Sequence, residues 1–395
     1  MKKQPKLFWC KSCLNGSHRP RIGFDKNRGV CNACLHHEDK FNRVIDWKER
    51  KKRFEELCFK FKRDDDYFSV IIPASGGKDS SYIAHKIKTE YGVDTKFGVK
   101  PLLVSCRPLI PTRMGERNLE NLILSGFDHI RLSCNPEEIR IGSKIGFIEQ
   151  GRPWHVFDSM ISAAISKLAL QMDIRFLLFA EEGEVEYGGK NDPPEKFDTD
   201  YLLNAYYCGH DPTRYGYWWK MPTQKELNSL FITHWSKFFD FDGEVHAKYC
   251  QEKLGLEMLV GGHIGSFTNY DSLDCYMRDL HIFLSFTKYG QGRCVQAVCT
   301  EVRRGRMSRK QAVDVCKKLD GQFPMEFLPS YLDYYEMSEK EFWEVIDRWV
   351  DYSILYKTGV PEKPYALKNE YAEYNVFMPD DCDGVNFERG RFSSV

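Results

Sequence analysis

The spacing of apolar positions changes several times along the chain, and each change marks an element. From Asp46, the stretch IDWKERKKRFEELCFKFK places Trp47, Arg50, Phe54, Leu57, Cys58 and Phe61 at helical spacing, with Asp46 and Glu49 as a capping pair. This predicts an amphipathic connecting helix, ended by the acidic run at 64–66. YFSVIIPA then reads as a buried strand, followed at once by SGGKDSS and a helix to about Glu90. PLLVSC (101–106) predicts a strand, GERNLENLILSGF a helix closed by Gly126, DHIRLS a strand and PEEIRIGSKIGFIEQ a helix. A further helix covers about 156–172, before the strand RFLLFA (175–180). Strands alternating with helices in this way imply right-handed crossovers and a parallel, doubly wound α/β sheet covered on both faces. Ligands of such a sheet sit beyond the carboxyl ends of its strands.

Outside that core the pattern weakens. Residues 1–45 carry paired cysteines and little apolar periodicity, so this module needs a staple. Residues 46–66 form the connecting helix, and 67–300 the main domain. Within that domain, about 187–240 is aromatic and rich in glycine and proline, which suggests an inserted loop region or lid. The C-terminal region, 301–395, holds two clear helices, one opened by Ser308 with Gln311 and stopped near Gly321, the other opened by Ser338 with Glu341. The last fifteen or so residues look weakly ordered, and no internal repeat is present.

Charge and composition narrow the class. The 57 basic and 57 acidic residues cancel, so no global field draws the chain to nucleic acid or to an anionic membrane. No run approaches the roughly 18 apolar residues of a membrane span, and MKKQPKLFWCKSC lacks the apolar core of a signal peptide. A cytoplasmic protein is expected. With 14 cysteines in a long chain without an export signal, two tight pairs favour metal over disulfides, and the scattered remainder read as small core hydrophobes.

Ser75-Gly76-Gly77-Lys78-Asp79-Ser80-Ser81 carries the strongest chemical signal, because it joins a β-branched strand to a helix start. The glycines let the backbone turn with its N–H groups inward, the serines add hydroxyl donors, and the helix N-terminus adds positive potential. Asp79 suits a site in which Mg²⁺ bridges carboxylate and phosphates. A Ser/Gly turn that caps a helix and binds nothing is the plain alternative. Cys10-x-x-Cys13 and Cys31-x-x-Cys34, separated by 17 residues, have the spacing of a four-thiolate zinc site without an open position, hence structural.

Further on, Glu181-Glu182-Gly183-Glu184-Val185-Glu186-Tyr187 follows a strand at the catalytic edge. These acids suit a polar substrate, a second Mg²⁺ or ammonia, or else form a solvated turn. On a helix, Asp271, Asp274 and Arg278 would share one face, as in an ordinary salt-bridged surface. Lys288 and Arg293, in TKYGQGRC, are placed to neutralise pyrophosphate or to grip a nucleotide diphosphate.

The loop resembles the SGGxDS signature of PP-loop enzymes that make AMP intermediates, among them GMP synthetase, asparagine synthetase, NAD synthetase and tRNA-thiolating enzymes. It is not a Walker loop. The resemblance implies an adenine nucleotide alpha-hydrolase-like fold, ATP cleaved to AMP and pyrophosphate, and Ser105, Cys106 and Arg107 near the adenosine. It also leaves open an iron–sulfur cluster at the four cysteines, as some tRNA-thiolating members carry. CKSC…GFDKNRGVCNACLHHEDK…IDWKER, the loop, GERNLENLILSGFDHI, EVEYGG and YDSLDCYMRDLHIFLSFTKYGQGR with RGRMSRKQAV resemble, over most of the chain, the N-acetyl sugar amidotransferases of bacterial surface-polysaccharide and nonulosonic-acid pathways. Where that family has Gly-Glu-Asn before EYGG, this chain has Ala180-Glu181-Glu182, which leaves Glu181 and Glu186 matched and position 182 changed.

This resemblance implies conversion of an acetamido group, on a nucleotide-linked sugar or a nonulosonic acid, into an acetamidino group. O-adenylation activates the amide carbonyl and ammonia displaces AMP. No glutaminase constellation is evident in the chain, so a separate glutaminase subunit is expected, and homo-oligomerisation stays open. Together these readings assign Lys78, Asp79, Glu181 and Glu186 to catalysis, Ser75 to Ser81 with Ser105 and Arg107 to ATP and Mg²⁺, and Glu182, Tyr187, Asp271, Asp274, Arg278, Lys288 and Arg293 to substrate. Cys10, Cys13, Cys31 and Cys34 are assigned to Zn²⁺. The rival is a tRNA-thiolating enzyme, against which stand the neutral charge and the lack of a basic, aromatic stripe.

Overall fold

The computed structural model describes residues 7–19, 22–42, 44–180 and 216–379. Five parallel strands form one sheet in the order β3-β2-β1-β4-β5: β1 (Val70–Pro73), β2 (Pro101–Cys106), β3 (Asp128–Leu132), β4 (Phe176–Phe179) and β5 (Phe231–His234). Strand order reverses at β1, so the carboxyl ends of β1 and β4 flank a crevice in which a ligand can sit.

Alternation along each strand divides the interior in two. Ile71, Leu102, Val104, Leu177, Phe179 and Ile232 face one core, together with Val156, Phe157, Met160 and Ala164. Those four come from α6 (His155–Gln171), which follows α5 (Pro136–Gln150). Val70, Ile72, Leu103, Phe176 and Leu178 face the other core, with Phe54, Ile83, Ala84, Cys250 and Leu254. Both strand faces are apolar because both are covered.

The predicted elements are present: a helix at Trp47–Phe61, α3 at Lys78–Lys86 and α4 at Arg113–Leu124. Asp46 caps the first of these, accepting from Lys48 N and Glu49 N at 3.0 Å, and its buried Phe54 is ringed by Tyr91, Trp235, Phe238 and Phe239 at centroid distances of 5.1–5.4 Å. Two differences stand out. Part of the expected loop region at 187–240 is sheet, since β5 pairs with β4. Its sequence, FITH, lacks the unbroken apolar run of β1 and β4 and lies among aromatic residues. The stretch 270–276 is not helical; the helix begins at Met277 (α8, Met277–Tyr289, numbered after α7, Gly243–Leu254). Asp271, Asp274 and Arg278 therefore do not share a helix face. The segment is held open because Tyr276 N donates to Ile110 O at 3.0 Å and Thr112 N to Asp274 O at 3.1 Å.

Next come α9 (Arg293–Arg303) and α10 (Arg309–Leu319). Ser308 with Gln311 and Ser338 with Glu341 each form both halves of a capping box. Among the described residues no helix is long and apolar enough to cross a membrane.

Candidate functional site

Gly76 makes the turn after β1 at φ +79°, and a Cβ there would run into the backbone of Asn118 and Leu119 in α4. Only glycine allows both the left-handed conformation and the approach. Gly77 caps α3 without a side-chain hydrogen bond, so the helix presents free N–H groups to an anion. Ser80 Oγ donates to Gly77 O at 3.3 Å, and Ser81 Oγ is buried with no partner among the described residues. This cradle suits phosphate.

Above it opens a cavity of about 200 Å³, lined on one side by Ser75, Gly77, Lys78, Asp79, Ser80 and Ser105, and on the other by Phe157, Ile161 and Ile165. Asp274 and Tyr270 also line it, as does Cys106. A smaller cavity, about 70 Å³, shares Lys78 and Tyr270 and extends past Asp271 and Arg293 towards Glu301 and Arg306.

Charges here are tightly matched. Lys78 Nζ donates to Asp79 Oδ2 at 2.8 Å and to Asp271 Oδ1 at 2.7 Å. Arg293 Nη2 lies 2.8 Å from the same Asp271 oxygen, and Thr268 Oγ1 donates to Asp271 Oδ2 at 2.9 Å. Burial would raise the Asp271 carboxyl, but Arg293 and Lys78 overcome it and hold the group well below the usual carboxylate range. Asp79 is likewise lowered against its burial, by Lys78 and His246. His246 Nδ1 meets Asp79 Oδ1 at 2.8 Å while its ring stacks on Tyr82 at 4.0 Å. No local pattern advertises His246, which sits in an ordinary amphipathic helix, α7, and reaches the loop only through the packing of α7 on α3.

Three other expected residues, Arg107, Arg278 and Lys288, line neither cavity. Arg107 is exposed; its N–H continues the β2–β3 pairing through Leu132 O at 2.9 Å. The Arg278 guanidinium lies over the Trp154 ring, 5.4 Å from its centroid. Lys288 is buried and donates to Gly151 O at 2.9 Å. Asp271 and Arg293 pair with each other. Glu181, Glu182, Glu186 and Tyr187 lie outside the described residues.

The four paired cysteines converge, all four sulfurs lying within 4.8 Å of one another. Cys10–Cys34, Cys13–Cys31 and Cys31–Cys34 are separated by 3.8, 3.6 and 3.7 Å. These distances are far too long for disulfides and match the ~3.8 Å edge of a tetrahedron with metal–sulfur bonds of about 2.3 Å. The set fits a tetrahedral metal, with Asn15 Nδ2 donating to Cys31 Sγ at 3.4 Å as outer support. Other cysteines, including Cys58, Cys134 and Cys250, are buried free thiols.

Residues 264–369 match the family model described as LPS biosynthesis protein WbpG-like, C-terminal domain. This segment, less than half of the chain, supplies Asp271, Asp274 and Arg293. No curated protein matches the chain. Among solved structures, the U34-tRNA thiolase NcsA from Methanococcus maripaludis, described with its 4Fe–4S cluster, aligns at 13% identity over 66% of this chain and 79% of its own, with a TM-score of 0.29. NMN synthetase from Francisella tularensis aligns at 12% identity over 55% of this chain and 100% of its own, with a TM-score of 0.25. Superpositions this loose carry no weight. The fold class, a doubly wound parallel α/β sheet with an N-terminal four-cysteine module, rests on the strand order, the loop after β1 and the convergent sulfurs.

Proposed function

We propose that the protein is a cytoplasmic, ATP-dependent amidotransferase that converts the acetamido group of a nucleotide-linked sugar or nonulosonic acid into an acetamidino group in bacterial surface-polysaccharide synthesis, forming AMP and pyrophosphate. The observation that carries this reading is the uncapped α3 N-terminus behind Gly76, opening onto the cavity at the sheet's carboxyl edge. The β- and γ-phosphates of ATP belong on the loop amides, leaving the α-phosphorus open to the acetamido oxygen. Mg²⁺, held by Asp79, neutralises phosphate charge when bound. Lys78 is placed to exchange its Asp79 contact for a phosphate oxygen while Asp271 keeps its position.

An amide carbonyl is a poor electrophile until its oxygen bonds to phosphorus; ammonia then displaces AMP. Ammonia is scarce at neutral pH, so a separate glutaminase subunit supplies it. Zn²⁺ at the four cysteines is structural. Support for the sugar substrate comes from the match of residues 264–369 to a lipopolysaccharide-synthesis domain. Incubation with ATP, ammonium and a panel of N-acetylated nucleotide sugars and nonulosonic acids, followed by mass spectrometry, tests this. Expected are AMP and a product in which O is replaced by NH. ADP as the nucleotide product, or no turnover with any acetamido sugar, overturns it.

A further inference from the structure

Two carboxylates line the larger cavity, Asp79 and Asp274, and they differ in what holds them. Both oxygens of Asp79 are occupied, by His246 and by Lys78. The Asp274 carboxylate makes no ion pair and no hydrogen bond to another residue among the described residues. Its backbone, by contrast, is clamped. Thr112 N donates to Asp274 O at 3.1 Å, Thr112 Oγ1 donates to Leu273 O, and Cys275 bridges to Pro111. At Gly115 a Cβ would strike Asp274 Cα, so α4 presses directly on this point. The fold thus fixes the main chain on both sides of a carboxylate that, among the described residues, only its own backbone N–H engages by a hydrogen bond.

We propose that Asp274 is a catalytic residue, the general base that takes a proton from the attacking nitrogen in the amination half-reaction. The inference rests on the amidotransferase reading above. In the first half-reaction the acetamido oxygen bonds to the α-phosphorus, the bond to the β-phosphate oxygen breaks, and pyrophosphate leaves. In the second, ammonia nitrogen bonds to the activated carbon and becomes cationic. Asp274 accepts one of its protons, the C–O bond to AMP breaks with the electron pair going to AMP, and the product leaves as an amidinium. The proton then passes to solvent.

Burial raises the Asp274 carboxyl, with Arg278 opposing, which moves the group towards the pH at which a base works best. Among the described residues, the charged and titratable groups around it are Tyr270, Arg278, Cys275 and Asp279 on its own segment, and Lys78, Asp79 and Cys106 across the cavity.

The test separates the two half-reactions. UDP-linked acetamido sugars are screened by ATP–pyrophosphate exchange, and the one that supports exchange is carried into amidine assays with ammonium. At saturating sugar Asp274→Asn is expected to keep exchange within about twofold, while amidine formation, compared at constant free ammonia, falls ~100-fold or more and loses its acid limb against pH. Asp274→Glu is expected to recover part of the rate. Amidine formation by Asp274→Asn within threefold of wild type overturns the assignment, as does parallel loss of exchange and amidination in a variant that melts like wild type. Absence of exchange in the wild type with every sugar points instead at the proposed function.

Discussion

The four-cysteine module and the phosphate-loop site both rest on α9, and they are built in opposite ways. The cysteines lie within 24 positions of one another in sequence, and their sulfurs share a metal-sized space. The site gathers Lys78, His246, Asp271 and Arg293 from three distant parts of the chain. Leu14 N donates to Cys299 Sγ at 3.3 Å and Gly16 N to Gln291 Oε1 at 3.0 Å, so the module docks on α9 and the turn before it. Arg293, the first residue of α9, holds Asp271 in place. The module is thus a local structure whose sulfurs fit a metal, the site a long-range structure in need of a framework. The comparison teaches that a compact cysteine module and a charged group of the candidate site can share one helix as support.

Removing the metal is expected to have the largest effect. Binding to such a site is worth ~10 kcal/mol, so Cys31→Ser or chelation should release the N-terminal module from α9 and lower Tm sharply. Elemental analysis with thermal melting checks this, and a visible iron–sulfur absorption band would replace zinc by a cluster. Asp79→Ala should reduce AMP formation by ~10³-fold or more, far beyond what the accompanying loss of Tm explains, a loss expected because Lys78 and His246 forfeit their shared partner. A variant with near-normal turnover contradicts its role.

Asp271→Asn comes next. It leaves Lys78 and Arg293 without their shared buried counter-ion, a loss of about 3–5 kcal/mol. The pH dependence follows from the lowered carboxyl. A depressed folded pKa contributes stability that is fully present above the unfolded value of about 3.9 and is lost as pH falls towards the folded one. The stability gap between wild type and Asp271→Asn, read from denaturant melts, should be flat from about pH 5 to 8 and narrow below about pH 4. A gap that widens on acidification rules out the ion-pair account.

The smallest effect sharpens the junction. Ser308→Ala removes an N-cap worth about 1 kcal/mol from α10, whose Arg309 Nε donates to Cys13 O at 3.1 Å. Denaturant melts should show a modest loss without change in metal content.

How much of this could be read from the sequence differed by region. The helix caps at Asp46, Ser308 and Ser338, the four long-patterned strands and the paired cysteines each rest on neighbours within a few positions, so they were legible. β5 was not, because FITH lacks the unbroken apolar run of VIIP and FLLF and lies among aromatic residues. A helical reading of 270–276 failed because pairing with 110–112 outweighs local propensity. Lys288 and Arg278 looked like ligand-binding cations, yet one satisfies a backbone carbonyl and the other lies over a tryptophan ring.

The sequence by itself determined the glycine cradle after β1 and the cysteine pairs, since a glycine turn and a Cys-x-x-Cys loop impose their geometry over a few bonds. Tertiary structure alone decided which charges meet: that His246 braces Asp79, that Asp271 is spent on Lys78 and Arg293, and that Asp274 has no ion-pair partner among the described residues. Contacts between residues far apart in the chain depend on how elements pack, and no local pattern encodes that packing.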